Sequence, residues 1–455
     1  MNKPIFIEYE TKSREFDGKL LLITNLLQFG YTNIFLGTNR YLRKLALKNA
    51  NGIYFFKSLS KNEENLYSQL KNNGYKLVLL HAEGGVHYKD NESTIRSIFN
   101  PEVSHYIDYN FLFGDYIKTS IDKYNVRQKD QQMVTSGDPR FDLLKAKYDS
   151  FFTEDISNIT ENYGDFILIN TSFSASNPQN GIENARIYWQ NEPTFTKETK
   201  DLLMLKMDYF VEIIDYYLKA IAFLATELPS KTFVVRPHPS ESLDIYLQHF
   251  KDYKNVHVTK KGNVAMWIKA SKGVIHFDCT TGIEALIAGK PVIAYVPKFD
   301  ERIVAWLPIA VSKKITELES LKSQIEYIFD GKFKYEVEGR SYKILEQTIN
   351  NVSFESSPII SGYLSSNVPA SFENKEKTGV ISHLVDQINH NFRIRIKKFI
   401  YRIINRSDVE FSKKGKFNKE EVRIKLNKLN QIQGFSVNFK LKMLTIDCIQ
   451  ITKAK

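Results

Sequence analysis

The chain has 455 residues, too many for one ordinary core, and its 42% hydrophobic and 13% aromatic content is enough to fill two. Two cysteines, Cys279 and Cys448, exclude a disulfide framework and fit a reducing cytoplasm. The formal charge of +11 resides in residues 381–455, where 17 Lys/Arg face 6 Asp/Glu; the balanced body excludes a basic nucleic-acid groove.

In chain order, Pro4 to Glu8, Asn33 to Leu36, Gly52 to Phe56 and Lys76 to Leu80 are predicted strands, with helices over Lys19 to Phe29 and Lys61 to Asn72. Strands alternating with helices indicate βαβ units and a parallel sheet. Asp165 to Asn170 opens a second series, followed by a long helix over 196–227. Thr232 to Arg236, Val256 to Thr259, Gly273 to Phe277 and Pro291 to Tyr295 continue it. The seam between the series is expected near 145–163. Residues 353–378, rich in Ser, Asn and Pro, read as a long connection, and Val380 to Ile388 as a helix.

The basic tail opens with a stretch in which Phe392, Ile396, Phe399, Ile400 and Ile403 share one helical face. Arg393, Lys397, Lys398, Arg402 and Arg406 lie off that face, a pattern suited to a membrane surface or to packing on the body. The N-terminus lacks the features of a signal peptide, and no apolar run approaches the roughly 20 residues of a membrane span. A cytoplasmic protein, peripheral on the inner face of the membrane, is the expectation.

Three short segments at strand ends carry the chemistry, because open α/β sheets bind ligands beyond the carboxyl ends of their strands. In Arg236-Pro-His-Pro239 the prolines stiffen the loop and fix the direction of Arg236 and His238, as phosphate recognition requires. The other reading is a loop in which His238 caps a carbonyl and Arg236 pairs locally. Asp278 to Gly282 leads into a helix, so Thr280, Thr281 and the first-turn N–H groups form an anion site, with Glu284 in reach of a ribose. Thr281 as a plain N-cap is compatible with that role. Asn170 to Ser172 faces the same crevice. In the first series His81-Ala-Glu83 precedes Gly84-Gly85, a turn that allows close substrate approach beside a carboxylate acting as base or acid. The alternative is a turn with a solvated glutamate. Glu8, Glu10, Glu15 and Asp17 could supply a second carboxylate, and no metal-ligand spacing is present.

The order of these motifs resembles GT-B glycosyltransferases that use CMP-activated sugar acids, such as sialyl-, polysialyl- and Kdo transferases. It is most similar to the surface carbohydrate biosynthesis group. The resemblance rests on Ile7 to Leu22, Gly52 to Ser58, His81 to Gly85, Ser136 to Asp142, Arg236 to Ser240 and Asp278 to Pro291, within residues 4–390. It implies an α/β fold of GT-B type, with two Rossmann-like domains facing across a cleft and a basic C-terminal helical tail. The domains are 1–150 (acceptor and catalytic acid) and 151–352 (nucleotide sugar), followed by a connection with a returning helix over 353–390 and a tail over 391–455.

The implied activity is transfer of a 2-keto sugar acid, Kdo or a nonulosonic acid such as pseudaminic acid, from its CMP donor to a surface polysaccharide, without metal or cofactor. His238, with Arg236, Thr280, Thr281, Gly282, Glu284 and Ser172, would hold the donor, and Glu83 would be the catalytic carboxylate. The resemblance points to retention of configuration, which needs a second group, for which Glu15 and Asp17 are candidates. One departure is that many relatives have two acids before the glycine, where this chain has Ala82-Glu83. Residues 138–142 and the Arg-Pro-His-Pro loop also resemble CDP-glycerol glycerophosphotransferases, so a CDP-polyol phosphotransferase is the competing reading. A non-catalytic sugar-nucleotide binding or assembly protein is the third. The expected partners are a nucleotide-sugar donor, a glycan acceptor and the inner-membrane surface through residues 391–406, with no nucleic acid.

Overall fold

Alternation of strand and helix in the first series produces a parallel sheet in the computed structural model, which describes residues 3–81, 92–126, 130–192, 195–368 and 417–454. Glu83 with its glycines, the helix expected at 380–388 and the basic stretch 391–406 lie outside the described residues. The chain forms two compact units, the first from residues up to Leu143 and again from Glu346 onward, the second from Leu144–Leu345.

The first unit begins with β1 (Ile5–Glu8), β2 (Asn33–Gly37), β3 (Ile53–Phe56), β4 (Lys76–Leu80), β5 (Tyr109–Leu112) and β6 (Gln132–Thr135). All six are parallel in the order β2-β1-β3-β4-β5-β6. Strand order therefore reverses between β1 and β3. The helix Lys12–Gln28 follows β1, and Glu15 through Leu27 are all buried. A helix buried on every side needs cover on every side. The helices Pro139–Asp142, Ser356–Asn367 and Lys419–Gln433 provide it, in addition to the sheet.

The second unit holds β7 (Phe166–Asn170), β8 (Thr232–Arg236), β9 (Val256–Val258), β10 (Gly273–His276), β11 (Val292–Tyr295) and β12 (Lys313–Ile315). Its order is β9-β8-β7-β10-β11-β12, all parallel, the doubly wound arrangement with its reversal between β7 and β10. Side chains alternate across the sheet. Ile167, Ile169, Val235 and Ile275 pack on Ile213, Tyr217 and Leu224 of the long helix Lys197–Glu227, and Leu168, Val234 and Val274 pack on Trp267 and Ala285. Burial on both faces explains why these strands read as unbroken apolar runs.

Three expectations are corrected. The first helix starts at Lys12 rather than Lys19, which places Glu15 and Asp17 inside it. The Ser-rich stretch at 353–378 contains the helix Ser356–Asn367, stabilised from 214 residues away: the carboxylate of Asp142 accepts from Ser356 N–H at 2.8 Å and Ser357 N–H at 2.9 Å.

The third correction concerns the tail. Over residues 417–454 it is part of the first unit, not an appendage, because the outer face of the buried helix and the edge of β2 both need covering. Lys425 pairs with Asp17 at 2.7 Å, Lys12 with Glu421 at 2.8 Å, and Gln433 donates to Thr24 Oγ1 and accepts from Asn25 Nδ2. Phe417 packs on Phe16 and Tyr9. Strands β13 (Phe439–Thr445) and β14 (Cys448–Lys453) then add an antiparallel hairpin to β2, with Cys448 opposite Gly37. Lys440 and Lys442 point outward from β13, which blunts the new sheet edge.

Asp142 is fully buried and also accepts from Asn351 Nδ2 and Ser357 Oγ; its four donors resist protonation, but burial dominates and pushes the carboxyl up to about 7. The folded chain thus keeps a proton that the unfolded chain releases, and this contribution to stability is lost as pH rises from about 4 through 7. Thermal melts of Asp142→Asn are expected to show a loss of about 2 kcal/mol, from an amide facing an N–H donor. They should also show a flatter pH dependence than the parent between pH 5 and 8.

Candidate functional site

The reversal point of the second sheet is where ligands of doubly wound folds bind, and its loops are tied together by side chains. Ser172, after β7, donates to Asp278 Oδ1, after β10, at 2.7 Å, a bond that crosses the reversal. Asp278 is buried, its other oxygen accepts from Ala305 N–H at 3.4 Å, and burial raises its carboxyl above the ordinary range. A hydroxyl that donates to a carboxylate presents lone pairs outward. Ser172 is thereby set to accept from a ligand hydroxyl rather than to donate to a phosphate.

The loop after β8 is organised by a residue that the sequence reading passed over. Glu241 is fully buried and accepts from Thr171 Oγ1 (2.8 Å), Phe173 N–H (2.9 Å), His238 N–H (3.1 Å) and Tyr246 O–H (2.5 Å). One carboxylate thus fixes the loop after β7 and the loop after β8, although burial raises its own pKa. The missed signal was Pro239-Ser240-Glu241, an acid directly after a stiff turn.

His238 is half-buried, and its Nδ1 accepts from Ser240 N–H at 3.2 Å. With Nδ1 as acceptor, the proton of the neutral ring resides on Nε2, which makes that nitrogen a donor of fixed direction. Arg236 is used differently from expectation. Its Nη1 donates to Lys261 O at 3.1 Å and its Nη2 to Gly262 O at 2.7 Å, while its plane lies 5.6 Å from the Trp267 ring centre. Burial lowers its pKa to about 10, and nearby Glu284 opposes that shift. Asn170, paired in register with Arg236, buries an amide Nδ2 that meets no acceptor.

The third segment follows β10. The helix Thr281–Ile287 begins there with Thr280 at its N-cap position, and no side chain caps it. Thr281 Oγ1 is buried beside the Cys279 thiol without a partner oxygen or nitrogen. Gly282 is required by packing: a Cβ there would stand 2.2 Å from His276 Nε2. That imidazole is fully buried, held at 2.8 Å from Ser312 Oγ, and pushed down to about 3 by burial. Glu284 is buried in the first helical turn. Burial raises the Cys279 thiol to about 11, which keeps it protonated.

Ser172, His238, Thr280, Thr281, Gly282 and Glu284 are thus brought to one edge of the second unit, with Arg236 beneath the neighbouring loop. In the first unit, Glu15 accepts from Glu10 N–H at 3.1 Å and Thr11 N–H at 3.4 Å, fixing the turn into its own helix, and burial raises its pKa. Asp17 is committed to Lys425. Glu8, at the end of β1, holds Arg43 at 2.6 Å and Tyr54, with Glu63 on the other side of Arg43. Lys57 pairs with Glu10. Among the described residues no group of His, Cys, Asp and Glu could hold a metal ion, and no helix is long and apolar enough to cross a membrane.

No family model matches the chain, and no curated protein does. Solved structures do. The UDP-GlcNAc 2-epimerase of Methanocaldococcus jannaschii, in complex with UDP-GlcNAc and UDP, superposes with a TM-score of 0.50 at 13% identity, over 80% of this chain and 100% of that one. The wall teichoic acid polymerase TagF gives 0.48 at 12%, over 80% and 88%. The S. aureus MnaA–UDP structure gives 0.46 at 12%, over 83% and 100%. At such identities the likeness shows the fold, two Rossmann-like units of GT-B type.

Glu241→Ala strands four donors in the interior, at about 1–3 kcal/mol for a buried group left unsatisfied. Denaturant melts should show a loss of at least about 3 kcal/mol. A loss under 1 kcal/mol would contradict the organising role of this carboxylate.

Proposed function

We propose that the chain is a metal-independent GT-B glycosyltransferase of surface-polysaccharide synthesis. It transfers a 2-keto sugar acid, of the Kdo or nonulosonic class, from a CMP donor to a glycan acceptor. The observation that carries this reading is His238 Nε2. It is a donor held in one direction by Ser240 and Glu241, on the loop next to a reversal point lined by Thr280 and Ser172.

Departure of CMP leaves negative charge on its phosphate. A fixed N–H donor and the amides of the turn after β10 stabilise that charge without reorganising, and therefore lower the barrier. Glu284, in the same turn, is offered to the ribose, and Ser172 to a hydroxyl. Glu83 is the carboxylate assigned to take the proton of the acceptor hydroxyl as it attacks. Glu15 and Asp17, both engaged in the scaffold, are weak supports for a retaining path, so a single base with inversion is the simpler mechanism. The acceptor, at the cytoplasmic face of the inner membrane, would be met with the help of residues 391–406.

The competing reading, a CDP-polyol phosphotransferase, draws on residues 138–142 and on the Arg236-Pro-His-Pro239 loop, which it shares with the glycosyltransferase reading. In this chain Asp138 accepts from Arg140 N–H and Asp142 anchors the helix Ser356–Asn367. Those two carboxylates serve the scaffold, and the shared loop leaves the choice of donor to the assay.

Purified protein incubated with CMP-Kdo, CMP-pseudaminate or CDP-glycerol and an acceptor should release CMP from a CMP-sugar acid. Release from CDP-glycerol alone would establish the competing reading, and no release from any donor would overturn an enzymatic role. His238→Ala is expected to weaken CMP binding at least about tenfold. Glu83→Gln should leave CMP affinity within about twofold and cut turnover by about 10²-fold or more. Near-normal turnover of Glu83→Gln would remove it from the mechanism.

A further inference from the structure

Arg236 stands in the middle of the proposed nucleotide site, yet its hydrogen bonds run away from the phosphate position. Its two terminal nitrogens reach the consecutive carbonyls of Lys261 and Gly262, at 3.1 and 2.7 Å, and the residue is nine-tenths buried. Those carbonyls belong to the loop after β9, which lies one strand beyond the His238 loop on the same sheet edge. Adjacent strands are about 4.8 Å apart, so this loop stands roughly 10 Å from the β7 end of the reversal point.

The loop is fixed from three more directions. Trp267 Nε1 donates to Lys261 O at 2.7 Å, Lys261 N–H donates to Thr259 Oγ1 at 3.2 Å, and Thr259 N–H donates to Val235 O at 3.0 Å. Gly262, at φ +72°, turns the chain in a conformation that side chains disfavour, and it is exposed at the loop's crest. A guanidinium bridges two successive carbonyls with a rigid planar fork of donors, whereas an ammonium meets them as a compact charge on a flexible stem and fixes their direction less. Glu284, the acid offered to the ribose, acts electrostatically on this fork.

We infer that Arg236 is a positioning residue that sets nucleobase selectivity: it locks the loop Thr259–Asn263 as the rigid wall against which the base is read, and it does not bind the phosphate. The inference rests on the proposed nucleotide site. The helix Val264–Ala270 that leaves this loop packs against the helix Thr281–Ile287, so a ribose held by Glu284 in the first turn of the latter sets the base beside the loop Thr259–Asn263. A rigid wall of backbone groups discriminates cytosine from uracil by the opposite hydrogen-bonding sense of their 4-substituents, and a loosened wall does not.

Calorimetric titration of the full chain with CMP, UMP and cytidine tests this, using Arg236→Lys and Trp267→Phe. The second variant keeps an aromatic ring in the core and removes the Lys261 bond, so it reports on the loop even if the first fails to fold. Each is expected to lower the CMP:UMP affinity ratio about fivefold to tenfold while leaving the CMP:cytidine ratio, which measures the phosphate, within about twofold. A collapse of the CMP:cytidine ratio with the CMP:UMP ratio intact would make Arg236 a phosphate ligand and overturn the inference. Unchanged ratios in Trp267→Phe, or a parent that does not distinguish CMP from UMP, would overturn it too. A parent that binds none of the three would instead sink the proposed function, and this inference with it.

Discussion

The geometry of the second unit depends on one buried carboxylate. Glu241 has no access to water, and it gathers donors from the loop after β7, the loop after β8 and the helix that follows. Such a group is costly to bury unless every lone pair is used, and here each oxygen accepts more than one bond. The consequence is directional. His238 N–H is held by Glu241, and its ring is held by Ser240 N–H, so the imidazole presents Nε2 without spending conformational entropy on binding. The prolines on either side of His238 stiffen the loop, but the carboxylate decides where it points.

The first unit is governed by a different constraint, a helix with no solvent face. The run Lys19 to Leu27 follows β1 and is buried all round, so elements from distant parts of the sequence must surround it. That is why the chain returns after Glu346 and why its last residues form a helix and hairpin on this unit. Asp142 and Asp17 are the polar ends of that arrangement. One secures the helix Ser356–Asn367 and the other receives Lys425 of the C-terminal helix.

Apolar runs bounded by turns made nine of the strands legible, and with them the two parallel sheets and the two segments at the carboxyl ends of β8 and β10. Strands β5 and β6 escaped because Tyr109 to Leu112 is short and Gln132 to Thr135 is an edge with a polar start. The helix Ser356–Asn367 was hidden by its own composition, since its stabilising carboxylate lies 214 residues upstream. In the tail, net charge drew attention away from the alternation in Phe439 to Leu444, which marks a strand with lysines on its outer face. At the site, residue types and positions were readable but partners were not. Arg236 and His238 look equivalent in Arg-Pro-His-Pro, yet one faces two carbonyls and the other offers a proton. Nothing local in the sequence distinguishes them, because Lys261, Gly262 and Glu241 decide the matter.

The central claim is that a nucleotide phosphate occupies the reversal point between β7 and β10, held by His238 and the turn after β10. A crystal structure of the chain with CMP tests it most directly. The account predicts a phosphate oxygen within hydrogen-bonding distance of His238 Nε2 and of an amide in the turn Thr280 to Gly282, with the Arg236 fork still on Lys261 and Gly262. CMP bound in the first unit, or a phosphate seated on Arg236 with His238 turned away, would contradict it.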